Sequence, residues 1–266
     1  MDHNFGLVLD ALERSPARDS TITVVFGDHG WHHGEHGEYE KKSLWENDCR
    51  VPLLIRVPWI PAAARGGRSA AIVELVDVMP SLIELSGLPL PAAAGPDGNL
   101  GGRSFAGMLR AGNLTRFKDY AFTVFPRCNC TYEQRWVQPV GVTGNGSCPD
   151  RYRTVATRES GWVANANMHA CLYTPAKDFN WVGLSVRSVA FRYTWWVVWD
   201  GGSLRPDWSR TVADELYSHV GDAGIGDRMF DDWENENLAA APVTSRHAAV
   251  IQDLRDVLRA HFVFER

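Results

Sequence analysis

TITVVFGDHGWHHGEHGEYEKKSLWENDCRVPLLIRVP, residues 21–58, decides the reading of this chain. Thr21 to Phe26 is apolar and β-branched, the composition of a strand covered on both faces of a parallel sheet. Pro52 to Val57 repeats that signature and returns the chain to the same sheet. Between them lies a Gly- and His-rich loop. Asp28 and His29 follow the first strand at once, where α/β sheets place their chemistry, at the carboxyl ends of strands. Lys41 and Lys42 come a short loop later. A carboxylate and an imidazole at a strand tip, with a lysine near, suit a metal-assisted site for an anionic substrate.

Working outward, Asn4 to Glu13 has apolar residues at helical spacing. Ile72 to Leu85 reads as a helix kinked or restarted at Pro80, and Pro89 to Gly102 as a loop. Asp119 to Phe125 reads as a further strand of the first sheet. Gly183 to Val189 and Phe191 to Trp199 form an expected antiparallel pair. Ala248 to Phe262 carries Val250, Ile251, Leu254, Val257 and Leu258 near helical spacing, as a helix covering the pair would.

The quoted segment resembles the second metal-binding block of the sulfatases, in the alkaline-phosphatase-like superfamily. The matching letters are Gly27-Asp28-His29-Gly30, Gly34-Glu35-His36-Gly37, Tyr39, Lys41, Glu46 and Arg50-Val51-Pro52-Leu53. Phe5-Gly6-Leu7-Val8-Leu9 and Val73-Glu74-Leu75-Val76-Asp77-Val78-Met79-Pro80-Ser81-Leu82 are similar to two of the family's helices. Ser185-Val186-Arg187, Phe191-Arg192-Tyr193-Thr194, Glu215-Leu216-Tyr217 and Glu234-Asn235-Glu236-Asn237-Leu238-Ala239 resemble its C-terminal blocks. Gly30-Trp31 and the VELVD wording are nearest to the iduronate 2-sulfatase branch. Gly27 departs from the family's small hydroxyl residue.

The resemblance implies a partial alkaline-phosphatase-like sandwich: a mostly parallel sheet flanked by helices, with a small C-terminal α+β antiparallel subdomain. It divides the chain into 1–126, the C-terminal half of the catalytic α/β domain; 127–181, a cysteine-bearing insertion; and 182–266, the subdomain. Asp28 and His29 become expected ligands of Ca²⁺ (Mg²⁺ being possible), and Lys41 a contact for a sulfate oxygen. Trp31 stands as a wall of the substrate pocket or as a packed aromatic. Hard oxygen ligands suit these ions, and lysine supplies a compact charge with three donors. The implied reaction is sulfuric ester hydrolysis on sulfated sugars. A phosphodiesterase or phosphonate hydrolase of the superfamily is the alternative, as is a degenerate, non-catalytic module.

Other residues in the loop read more plainly. Asp28 could instead cap a turn, Lys42 is expected in solvent, and His32 and His33 read as surface histidines. His36 is expected to order the loop by a hydrogen bond, and Glu46 and Arg50 to brace it with an ion pair. His32-His33-Gly34-Glu35-His36 contains H-x-x-E-H, the inverted zinc-protease signature. That chemistry needs a helix, and Gly30, Gly34 and Gly37 each cost about 1 kcal/mol in one.

None of the five cysteines fits the family's nucleophile motif, C-x-P-S-R or C-x-A-x-R, and the paired aspartates of its first metal block are missing. The chain by itself is therefore expected to be inactive. Net charge −5 argues against a general nucleic-acid binder, and no run of ~18 apolar residues predicts a membrane span. MDHNFGLVLDALER has no basic n-region and does not read as a signal peptide. Cys128, Cys130, Cys148 and Cys171, with sequons at Asn113, Asn129 and Asn145, suggest a lysosomal or secretory parent.

Overall fold

In the computed structural model the described residues are 2–89, 100–112, 115–128, 175–222, 233–240 and 244–263. In chain order the elements are α1 (Asp2–Glu13), β1 (Thr23–Phe26), β2 (His32–His33), β3 (Tyr39–Glu40), α2 (Glu46–Cys49), β4 (Leu53–Arg56), α3 (Val78–Leu85), α4 (Ala106–Ala111), β5 (Ala121–Cys128), β6 (Phe179–Arg187), β7 (Phe191–Asp200), β8 (Arg205–Ser218) and α5 (Thr244–His261). The chain divides into two compact units, 1–28 with 51–119, and 29–50 with 120–266. Cys130, Cys148 and Cys171 of the cysteine-bearing stretch, and the sequons at Asn113, Asn129 and Asn145, lie outside the described residues.

In the first unit, β1 and β4 form a two-stranded antiparallel pair, Thr23 opposite Arg56 and Phe26 opposite Leu53. This corrects the expected parallel relationship. The segment between them leaves and returns at one end, where Gly27 N–H donates to Pro52 O at 3.2 Å, so the return strand must run the opposite way. A parallel neighbour needs a crossover that carries the chain back to the starting end. Nor are the strands covered on both faces among the described residues: Phe26 and Leu54 are 49% and 60% exposed.

Val57, Ile60, Leu85 and Ala106 make this unit's core, with Ile22, Ile55, Ala64 and Leu109 against it. The helix expected from Ile72 starts later, as a tight turn at Leu75–Asp77 running into α3. Pro80 then falls in the first turn of α3, where its missing N–H costs no helical bond. Asp77 is fully buried and explains the VELVD wording. Its Oδ1 accepts from Lys118 Nζ and from Arg103 N–H, both at 2.7 Å, and its Oδ2 from Glu74 N–H at 2.9 Å. Lys118 also bonds Glu74 at 2.5 Å.

The second unit is a four-stranded antiparallel sheet ordered β5-β6-β7-β8. The strand expected over Asp119–Phe125 belongs here, at the edge beside β6, and not with β1. The β6–β7 pairing runs from Trp181 opposite Val198 to Arg187 opposite Arg192. Strand alternation sends Val182, Leu184, Val186, Tyr193, Trp195 and Val197 into one core with Leu216, and Ile251, Leu254 and Leu258 of α5 cover it. The expected covering helix is therefore in place. Gly183 meets the 29–50 segment: a β-carbon there would stand 2.6 Å from Leu44 Cδ1 and from a Trp196 ring carbon.

Candidate functional site

Residues 29–50 leave the first unit's strand and fold within the second unit. They return on themselves through β2 and β3, paired antiparallel with His32 opposite Glu40. The turn at 34–37 has Gly34 at φ 127°, His36 at 56° and Gly37 at 71°, and it is not the helix the zinc-protease signature requires. Gly30 is fixed by a close approach. Its N–H donates to Asp48 O at 2.9 Å, and a β-carbon there would stand 1.7 Å from the Asn47 carbonyl oxygen.

Three of the expected site residues come together. Lys41 Nζ donates to His29 Nε2 at 2.8 Å and stands 5.5 Å from the centre of the Trp31 ring. The His29 and Trp31 rings are 6.3 Å apart, tilted by 31°. The other imidazole nitrogen, His29 Nδ1, donates to Gly30 O at 2.7 Å. A carbonyl only accepts, so Nε2 carries the lone pair that faces the ammonium. Asp28 lies in the first unit, exposed beyond the end of β1.

Lys41 is flanked by Glu40 at φ 71° and Lys42 at φ 84°. Non-glycine residues in this region cost about 1–3 kcal/mol each and gather where a functional geometry holds them.

For the divalent cation that the resemblance implies, the donor set is one hard carboxylate, Asp28, and one imidazole whose lone pair already meets a positive charge. Asp28 offers the hard oxygen that calcium takes, whereas the His29 nitrogen is a less typical ligand for it. Among the described residues, Glu46, His219 and Asp222 are the one set of three donors drawn close enough to share an ion. Guanidinium groups occupy that set.

Glu46 Oε1 accepts from Arg187 Nε and lies 3.3 Å from Arg192 Nη2. Glu234 Oε1 accepts from Arg192 Nε at 2.6 Å and pairs with His219 Nε2 at 3.0 Å, while its Oε2 accepts the Glu46 N–H at 2.7 Å. Asp222 Oδ2 receives Arg187 at 3.1 Å, Arg50 at 3.0 Å and His219 Nδ1 at 3.2 Å. Desolvation alone would raise the Glu46 carboxyl, but the Arg192 and Arg187 charges outweigh it and hold it below the usual range. Glu234 is depressed for the same reasons, through Arg192 and His219. Glu46 is thus tied to Arg187 of β6 and Arg192 of β7, and Arg50 to Asp222.

The inner face of the 29–50 segment carries what the sequence reading passed over. His32 is 1% exposed, not a surface histidine, because strand alternation turns it inward between exposed Trp31 and His33. Its Nδ1 pairs with Asp48 Oδ1 at 3.1 Å. His36 Nε2 donates to Trp233 O at 3.2 Å, a loop-ordering bond of the expected kind. Burial raises the Glu38 carboxyl to about 7, against the opposing pull of His32 and Arg127. Counting which hairpin positions alternate inward would have found His32; Asp48, His219 and Asp222 carry no motif.

The sulfatase family model matches residues 1–88. The sulfatase match is echoed by a sulfatase of Formosa agariphila, 42% identical over 88 residues, spanning 33% of this chain and 17% of that one. Iduronate 2-sulfatase of Mus musculus aligns at 27% identity over 272 positions, covering 90% of this chain and 43% of its own length. The chain thus spans less than half the length of these relatives. A solved phosphonate monoester hydrolase from Silicibacter pomeroyi superposes with TM-score 0.58 at 20% identity, covering 97% of this chain and 38% of that one. The shared fold is a partial alkaline-phosphatase-like one, its mixed helices joined here to antiparallel sheets.

Proposed function

We propose that the chain is the C-terminal part of a sulfuric ester hydrolase of the iduronate 2-sulfatase type, acting on sulfated sugars. The observation that carries this reading is the seating of Lys41 against His29 at 2.8 Å and above Trp31, on one short segment. Lys41 would give its ammonium donors to a sulfate oxygen and offset charge that develops as the ester breaks. Trp31 would wall the sugar side. Asp28 and His29 would hold Ca²⁺, with Mg²⁺ as the alternative ion. Such an ion, when bound, supplies Lewis-acid stabilisation of sulfate oxygens.

No cysteine of this chain sits in a nucleophile motif, so the chain by itself is proposed to be inactive. The cysteines and sequons between Asn113 and Cys171 support a lysosomal or secretory parent. Among the described residues no helix is long and apolar enough to cross a membrane.

The test is calorimetric titration of the purified chain with a 2-O-sulfated uronic acid in calcium buffer. Binding that weakens at least tenfold in Lys41→Ala and in Asp28→Asn is expected. Binding unaffected by either substitution overturns the site, and turnover of an aryl sulfate by the chain alone overturns the inactivity. The likeness to a phosphonate monoester hydrolase supports a second reading. Tighter binding of a phenylphosphonate monoester than of the sulfated sugar would favour it.

A further inference from the structure

Two buried imidazole nitrogens in the second unit have no protein hydrogen-bond partner: His32 Nε2 and His36 Nδ1. Each belongs to a ring whose other nitrogen is already fixed. Asp48 takes His32 Nδ1–H at 3.1 Å, and the Trp233 carbonyl takes His36 Nε2–H at 3.2 Å. Both unpartnered nitrogens therefore present lone pairs, because neither a carboxylate nor a carbonyl can donate. The rings stand 5.8 Å apart at 70°. Trp45 closes one side, stacked on His36 at 4.6 Å and edge-on to His32 at 5.8 Å.

We propose that His32 and His36 form a binding site for a borderline transition-metal ion of the Zn²⁺ class. An imidazole that ligates a metal through one nitrogen almost always donates the other N–H to a carboxylate or a backbone carbonyl, and each of these partners is in place. For zinc–nitrogen bonds of about 2.0–2.1 Å, two imidazoles sharing one ion have ring centres roughly 5–6 Å apart, which the 5.8 Å observed here meets. A buried nitrogen lone pair without a partner is costly, and a bound cation removes that cost.

Two imidazoles are half of a tetrahedral set. Glu38 is buried two residues beyond His36, which makes it the candidate third ligand, with water as the fourth. The Glu38 side chain would have to move, since these donors are not among the close sets of three in the described residues. Calcium does not suit the pair, because it takes oxygen ligands. The ion would clamp β2 to the 34–37 turn and so steady the hairpin that carries Trp31 and Lys41.

The experiment is Co²⁺ titration of the full chain after chelator treatment, in excess calcium, followed by Zn²⁺ competition. One Co²⁺ per chain with a visible ligand-field band, displaced by Zn²⁺, is expected. His32→Ala and His36→Ala should each weaken Co²⁺ binding at least tenfold, and Asp48→Asn by 10–100-fold. The exposed His33→Ala should change nothing. Zinc-edge X-ray absorption on the unsubstituted chain keeps the test independent of how the variants fold, and should count two imidazoles. No stoichiometric binding would leave the two nitrogens to a bridging water and overturn the proposal. So would equal affinity in His32→Ala and His36→Ala, or fewer than two imidazoles at the zinc.

Discussion

Arg192 Nε on β7 donates to Glu234 Oε1 at 2.6 Å, with both side chains almost wholly buried. This pair ties a sheet strand to the segment whose Glu234 also receives the N–H of Glu46, the first residue of α2. The C-terminal letters that carry the sulfatase resemblance are thus structural. Arg187, Arg192 and Glu234 hold α2 against the sheet. Asn237 bridges Asp214 O and Leu216 N–H, each at 3.0 Å, along β8.

Replacing Arg192 with Met leaves Glu234 and Glu46 buried beside unbalanced charge. The expected cost is about 3–5 kcal/mol, the usual price of breaking a buried ion pair from one side. Urea unfolding followed by tryptophan fluorescence measures it. A loss below about 1 kcal/mol would mean that Arg187 and His219 suffice.

Acid should unfold the second unit through this same network. The folded carboxyls of Glu46 and Glu234 lie below the ordinary 4.5. Their stabilisation is therefore complete above pH 4.5 and is lost as pH falls through the depressed folded values. Arg187, Arg192 and His219 face these groups, and Asp222 shares Arg187 and His219 with them and also holds Arg50. Melting temperature against pH should fall below 4.5, with a shallower slope in Glu234→Gln.

Gly30→Ala should disturb the site without touching its chemistry. The added carbon meets the Asn47 carbonyl, a backbone atom that cannot rotate away, and overpacking of this kind costs about 1–3 kcal/mol. The expected result is lower stability together with weaker sulfated-sugar binding, read by thermal melting and by calorimetry.

Lys42→Gly relieves a residue held at φ 84°. Glycine reaches that conformation freely, so stability should rise by about 1 kcal/mol. If ligand binding weakens at the same time, the held backbone serves to aim Lys41. Unchanged stability would mean that the position carries no strain.

The sequence by itself located the first strand, the β6–β7 pair and the α5 cover, because these rest on short-range pattern. Alternation of Val182, Leu184 and Val186, and helical spacing of Ile251, Leu254 and Leu258, are written in neighbouring letters. Tertiary structure alone decided the rest. It made β1 and β4 antiparallel, because their linking segment returns to the end it left. It sent Glu46 to Arg187 and Arg192 and Arg50 to Asp222, and it buried His32 against Asp48. The charged partners lie 16 to 172 residues apart, and a charge chooses among distant partners only once packing has removed water from around it.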